Sequence, residues 1–432
     1  MEATQKKEPR DPQQVSRRTF MRAASAATAA ATAAGWAKSP VYAIAPGRVI
    51  GANDRVNVGH IGVGGMGGGH LRMIRNQTQA LNLAQVAVSD IYRPRLDRAR
   101  TTIEAPEGKA YHDYRKLLED KDVDAVIIAT PEHWHAIQTI EAVEAGKHVY
   151  CEKPMTRYPE EALRVYDAVK KTGMVVQVGS QGCTDLKWHR VHEIIGQGKV
   201  GKVLWSQASY CRQNPAGEWN YPIDAGASPD NLDWQAFLGP APKRAFDPER
   251  FFRWRKYWDY STGILGDLLP HRMHPLVLAA GQAWPRRVVS TGGQYVERSH
   301  KDRDVADTVF ILADFENDTT IFLAGCTENE QGLVDTIRGT KGTVTLGGQR
   351  IELKPEKPYA DEIDPLTETV GRGEPQDLHE ANWIECIRTN KLPNCNIELA
   401  TRVMVTIGLA ERAYRENKCM LFDPKTREIK AG

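Results

Sequence analysis

A chain of 432 residues with 41% hydrophobic and 26% charged side chains can bury the cores of two domains. Its net charge of +2 comes from the N-terminus, where the first 43 residues hold seven Lys/Arg against three Asp/Glu and leave the remainder at −2. Such a balanced body lacks the basic surface that nucleic acid or an anionic membrane requires, so partners of those kinds are excluded.

In chain order, the first feature is Ser16-Arg17-Arg18-Thr19-Phe20-Met21, followed by an uncharged stretch from Ala23 to Ala37 and then Val41-Tyr42-Ala43. A charged start, a weakly apolar middle and a small-residue site make an export signal over residues 1–43. The paired arginines are of the twin-arginine type. A spanning helix needs ~20 strongly apolar residues, and this alanine-rich stretch falls short, so no stable membrane insertion is expected. The expectation is a periplasmic or otherwise exported protein whose partner is the twin-arginine machinery. That route carries folded proteins, so any cofactor acquired inside the cell is expected to be held tightly and regenerated in place.

From residue 54 to about 180, strands and helices alternate. Strands are read at 56–61, 84–90, 124–130, 148–151 and 174–179, and helices at 67–75, 95–103, 114–119, 132–146 and 159–172. Gly146 and Gly173 stop the last two helices. Continuous apolar runs such as Ala125-Val-Ile-Ile128 suit a parallel sheet buried on both faces. This is a doubly wound α/β unit. From 181 to 425 the pattern changes to strands at 203–211, 287–295, 308–315, 319–325, 334–339 and 342–353, with Asn317-Asp318 as a hairpin turn. That implies a second, α+β domain on one large open, mostly antiparallel sheet. Residues 212–262 form a long loop rich in Trp, Tyr and Pro, and the apolar stripe of the helix at 399–415 is core.

The chemistry-bearing runs sit at the strand ends. Gly62-Val63-Gly64-Gly65-Met66-Gly67 follows the first strand and opens a helix, the arrangement that holds a pyrophosphate on backbone N–H groups. Asp90, 28 residues beyond Gly62, ends the second strand where a carboxylate meets ribose hydroxyls. It favours NAD over NADP, although Arg93 nearby would suit a 2′-phosphate. Thr130-Pro131 ends the third strand of this reading, with His135 five residues further on. Glu152-Lys153-Pro154 ends the next, placing an ammonium at the mouth of the sheet as a candidate acid/base. In Asp267-Leu-Leu-Pro-His271-Arg-Met-His274, helical spacing puts three side chains on one face. They read as a general base with its orienting carboxylate, as a metal facet of Asp267, His271 and His274, or as packing. Seven scattered cysteines form no metal motif, and Cys386 and Cys395 are near enough in sequence to bridge.

Taken together, these runs resemble the Gfo/Idh/MocA oxidoreductase family. The marks are Gly62-x-Gly64-x-x-Gly67-x-x-His70, Thr130-Pro131-x-x-x-His135, Gly146 through Glu152-Lys153-Pro154, Gly266-Asp267-x-x-x-His271, and Ala381 to Arg402. The resemblance implies an N-terminal Rossmann domain, an open-sheet C-terminal domain and homo-oligomers formed through that sheet. It also implies catalytic roles for Lys153, Asp267 and His271, and a site for NAD or NADP on the glycine turn, Asp90, Thr130, Pro131, His135 and Glu152. Where the family pattern commonly continues with Asp, this chain has His274 followed by Pro275. Gln181, Tyr260 and His274 are expected on the side of a carbohydrate substrate. The aromatic run from Phe251 to Tyr260 resembles sugar-related branches. The expected activity is oxidation of a sugar, polyol or glycoside CH–OH group. The alternatives are a glycosidase or epimerase using transient oxidation at C3, and a non-catalytic binding protein.

Overall fold

The computed structural model describes residue 51 and residues 54–281, 283–296 and 303–432. The export signal expected over residues 1–43 lies outside the described residues. Among them, no helix is long and apolar enough to cross a membrane.

Six strands form the first sheet: β1 (Val56–Ile61), β2 (Leu83–Ser89), β3 (Ala110–Tyr111), β4 (Ala125–Ile128), β5 (His148–Glu152) and β6 (Val176–Gly179). All pair in parallel in the order β3-β2-β1-β4-β5-β6. The order reverses between β1 and β4, which opens a crevice above their carboxyl ends. β1 and β4 are buried along their whole length, as strands covered by helices on both faces must be. The helix Pro159–Thr172 begins with proline at its first position, and Glu161 accepts the Arg157 and Tyr158 N–H groups there. It stops at left-handed Gly173.

The second sheet contains β7 (Val203–Gln213), β8 (Pro285–Gly293), β9 (Thr308–Phe315), β10 (Thr320–Cys326), β11 (Glu328–Asn329), β12 (Asp335–Gly339), β13 (Gly342–Gly347), β14 (Arg350–Pro355), β15 (Leu366–Thr369), β16 (Met420–Asp423) and β17 (Glu428–Ala431). Its order is β15-β14-β13-β12-β7-β10-β9-β8-β16-β17, with β11 beside β7. The β7–β10 pair is parallel and the other described pairs are antiparallel. The run read as one strand at 342–353 is two, β13 and β14, because Gly348 turns the chain at φ +58°. Three strands after residue 365 and the helices Leu186–Gly196 and Gln376–Thr389 were not legible from pattern.

Helix Ile397–Glu416 lies in the core, its start fixed by the Asn396 side chain accepting the Glu398 and Leu399 N–H groups. It is tied to the first domain by the buried ion pair of Glu411 with Arg157 at 3.0 Å. All seven cysteines are free thiols, so Cys386 and Cys395 do not bridge.

The long loop region crosses back over the nucleotide-fold domain. Leu232 forms a β-bridge with Tyr92, Arg93 N–H donates to Asn231 O, and Asp233 N–H donates to Ile91 O. Phe237, Phe251, Tyr257 and Tyr260 pack with Tyr92 in a separate apolar cluster beneath this strap. Of the aromatic run from Phe251 to Tyr260, the side chains of Phe251, Tyr257 and Tyr260 are buried here, where they join the two domains.

Candidate active site

A cleft of about 840 Å³ runs from the glycine turn, past the ends of β4 and β5, to the second domain. At its start, Gly62 takes φ +80°, and a Cβ there would lie 2.7 Å from Thr130 Cγ2, so only glycine fits. A Cβ on Gly67 would lie 1.9 Å from Gly62 O, so that glycine lets the helix close on the turn rather than line the cleft. The helix Gly65–Gln77 has no capping side chain and no acidic residue in its first turn. Its leading N–H groups and dipole therefore face the cleft as an anion site. Gly62, Gly64, Gly65 and Met66 line it.

Val63 does not: it is buried, and its N–H donates to Asp90 Oδ2 at 2.9 Å. Asp90 Oδ1 accepts Tyr92 N–H at 2.8 Å, so this carboxylate staples turn to strand while still facing the cleft. The arginine on the cleft is Arg95 rather than Arg93; it is stacked against Tyr92, Phe251 and Phe252 with its carbon 5.0–5.7 Å from their centroids. Uncapped amides, a glycine cradle and an acceptor at the second strand end fit a dinucleotide.

Thr130, Pro131 and His135 also line the cleft. The His135 ring is held between the carbonyls of Thr130 (2.6 Å) and Pro154 (2.7 Å), which fixes the two strand-end loops against each other. Glu152 accepts from His70 Nε2 at 2.9 Å, and His70 Nδ1 lies 2.6 Å from Glu380 Oε1. Burial alone would lower the His70 pKa, but Glu152 and then Glu380 outweigh it and raise it to about 9. A buried imidazolium thus joins the glycine-turn helix, the end of β5 and the helix Gln376–Thr389.

Lys153 leaves β5 toward the second domain. Its Nζ donates to Asp267 Oδ1 at 2.8 Å and to Asp267 O at 2.6 Å. Asp267 also accepts from Arg255 Nε and Trp219 Nε1, both at 3.0 Å. Burial opposes its charge, but Lys153 and Arg255 hold the carboxyl well below the usual carboxylate range. Asp267 sits on the one-turn helix Ile264–Asp267, anchored from the first domain by buried Glu132, which accepts from Ser261 Oγ, Thr262 N–H and Thr262 Oγ1. Trp219 adopts φ +61°, a strained value for a non-glycine residue, with its indole fully buried.

His271 lines the same cleft from the next helix, Pro270–Ala280, with Tyr210 tilted against it at 5.6 Å. Burial and the Lys153 ammonium lower its pKa to about 3, against the pull of Asp267 and Glu152. The ring is therefore neutral, and no described side chain hydrogen-bonds Nδ1.

Several expectations at this end are corrected. Asp267 and His271 do not share a helix, because Pro270 begins a new one. Asp267 does not hydrogen-bond His271; it serves Lys153, Arg255 and Trp219. His274 turns inward, with Nδ1 3.0 Å from Pro270 O, away from the cleft. The facet of Asp267, His271 and His274 is thus not formed, and no metal-ligating group of three His, Cys, Asp or Glu occurs among the described residues. Tyr260 is fully buried in the strap cluster, whereas Gln181 does line the cleft. Arg95, Arg212, Trp219 and Arg255 escaped the sequence reading. Only Arg255 left a trace, as a cation inside the aromatic run.

A parallel six-stranded nucleotide fold, carrying a lysine that meets a carboxylate of a second open-sheet domain, defines a two-domain dinucleotide-dependent oxidoreductase class. The oxidoreductase family model for the NAD-binding Rossmann fold, GFO_IDH_MocA, matches residues 56–180, and the model for its C-terminal α/β domain matches residues 214–431. The chain belongs to the Gfo/Idh/MocA oxidoreductase family. It is 33% identical over 168 residues to inositol 2-dehydrogenase of Salmonella typhimurium, covering 39% of this chain and 49% of that protein. It is 34% identical over 220 residues to a glycosyl hydrolase family 109 protein of Shewanella baltica, covering 46% of each. The chain thus spans about half the length of these curated relatives. Among solved structures, levoglucosan dehydrogenase in complex with NADH and levoglucosan matches with a TM-score of 0.64 at 20% identity, over 85% of this chain and 98% of that one. This last likeness concerns the fold.

Proposed function

We propose that the protein is an exported NAD-dependent oxidoreductase that acts on a hydroxyl of a sugar, polyol or glycoside and keeps its nucleotide bound between turnovers. The observation that carries this reading is the Lys153–Asp267 pair closing the far end of a cleft that begins at an uncapped glycine turn. Gly62, Gly64 and Gly65 would hold the pyrophosphate and Asp90 the ribose. NAD, when bound, supplies the hydride acceptor. Asp267 holds the Lys153 ammonium in place, where it would stabilise the alkoxide developing on the substrate. Neutral His271 takes the hydroxyl proton. The strap from the second domain, bridged to Tyr92, supports retention, and Arg17-Arg18 supports the twin-arginine route. Denaturing the purified protein and identifying the released nucleotide tests cofactor and retention together; an empty protein that binds NAD weakly and reversibly contradicts the proposal. Arg17→Lys with Arg18→Lys should leave the precursor in the cytoplasm.

The match to a glycosyl hydrolase family 109 protein favours a second reading, in which oxidation is transient and the bound nucleotide is restored within each turnover. The two part in one assay. Net oxidation leaves the nicotinamide absorbance changed until an acceptor is added, whereas the redox-neutral route returns it to baseline while releasing an aglycone.

A further inference from the structure

The cleft wall around Asp267 holds more cationic donors than its carboxylates use. Lys153 and Arg255 share Asp267 Oδ1, and Arg212 Nη2 lies 3.9 Å from Oδ2 and 2.6 Å from Glu218 Oε1. Three cations thus meet two carboxylates. Glu152, the other carboxylate on this wall, shares the buried imidazole of His70 with Glu380 and accepts nothing from either arginine. On Arg255 only Nε has a described acceptor, which leaves both terminal nitrogens unspent; on Arg212, Nη1 has none and Nε is buried without one. Both guanidinium groups line the cleft, each beside an aromatic ring: Arg255 is 4.2 Å from the Trp254 centroid and Arg212 is 5.8 Å from that of Tyr210. Rings that hold the planes in place turn the unspent N–H groups into a fixed fork, the shape that grips a carboxylate or phosphate in two places. Guanidinium N–H groups left without acceptors in a walled cleft are costly until an acceptor arrives.

We infer that the substrate is an acidic sugar or glycoside, whose anionic substituent is bound by Arg212 and Arg255 while a neighbouring hydroxyl meets Lys153 and His271. This rests on the oxidoreductase reading above. It extends that reading to substrate class and predicts selection against neutral sugars of the same shape.

The test presents the full-length purified protein with matched probes: a hexuronate, the corresponding uronamide, the neutral hexose and the hexose 6-phosphate. Binding is measured by calorimetry, and turnover by reduction of the bound nucleotide. The expected result is tighter binding and higher kcat/KM for an anionic probe than for uronamide and hexose, by about ten- to a hundredfold. The uronate and the 6-phosphate identify the anion by which of them wins. Arg212→Gln should collapse that ratio; because the ratio is read first on the unaltered protein, a variant that fails to fold does not remove the test. Equal or better use of the uncharged probes overturns the inference and leaves the oxidoreductase reading standing. Anion-selective binding with no nucleotide reduction by any probe overturns that reading and leaves the anion site standing.

Discussion

The Lys153 ammonium lies 2.8 Å from Asp267 Oδ1 and 2.6 Å from the same residue's carbonyl oxygen, so the end of β5 is joined to the second domain at the floor of the cleft. The carboxylate has further donors in Arg255 and Trp219, which keep it ionised and fixed. Replacing it by Asp267→Asn should leave Lys153 and Arg255 without a counter-charge in a buried place. We expect kcat/KM to fall by about 10²-fold or more, with nucleotide content unchanged. Trp219→Phe removes one neutral donor and should cost less, about tenfold. Steady-state kinetics on both variants, alongside nucleotide content, checks the order.

His271 titrates well below an ordinary imidazole, to about 3. It is thus neutral throughout the physiological range. The pH profile of kcat/KM should show no fall near pH 6.5, the ordinary value, and its acid limb should lie well below that. The stability sign agrees: a depressed histidine pKa removes stability as pH falls below the unfolded value toward the folded one. His271→Asn should lower kcat by roughly 10²–10⁴-fold; an acid limb near 6.5 that persists in this variant would assign the proton to another group.

His70 carries the opposite sign. Held between Glu152 and Glu380, its pKa is raised to about 9. Its contribution is complete below the unfolded value of about 6.5 and is lost as pH rises through 9. His70→Ala leaves two buried carboxylates facing each other and should destabilise by about 3–5 kcal/mol. Urea unfolding of both proteins at several pH values checks this: the difference between them should shrink toward pH 9–10.

On the proposed retention of nucleotide, its release should respond to residues of the strap that packs on Tyr92. Phe251 packs on Tyr92 at 5.8 Å, and both border Arg95. Phe251→Ala should speed nucleotide release by about tenfold or more, since losing a buried aromatic from such a cluster exceeds 1.4 kcal/mol. Following nucleotide content during extended dialysis measures it.

The outer face of the second sheet is apolar where water would reach it. Val289, Leu312 and Phe322 align across β8, β9 and β10, flanked by Phe310, Trp205 and Leu421. Such a surface is expected between copies of the chain. Analytical ultracentrifugation should show a dimer or larger assembly, shifted toward monomer by Leu312→Lys.

Legibility followed locality. The parallel sheet, its glycine turn and Lys153 were readable because period, turn chemistry and strand ends are written in adjacent residues. Asp267 and His271 were legible as site members by resemblance, but their mutual geometry was misread. A helical wheel drawn through Pro270 fails because that proline ends one helix register and begins another. His274 and Tyr260 were placed at the substrate because their types suit it, and only packing revealed that both face inward. Arg212, Trp219 and the His70–Glu380 contact join segments far apart in the chain, the last pair 310 residues apart. No periodicity marks such pairs.

The most direct measurement is single-turnover reduction of the bound nucleotide by a reacting sugar in the unaltered protein and in Lys153→Met, after both are shown to carry equal nucleotide. The rate should be lower by about 10²-fold or more in the variant. Equal rates would place the reacting hydroxyl away from Lys153 and contradict the site described.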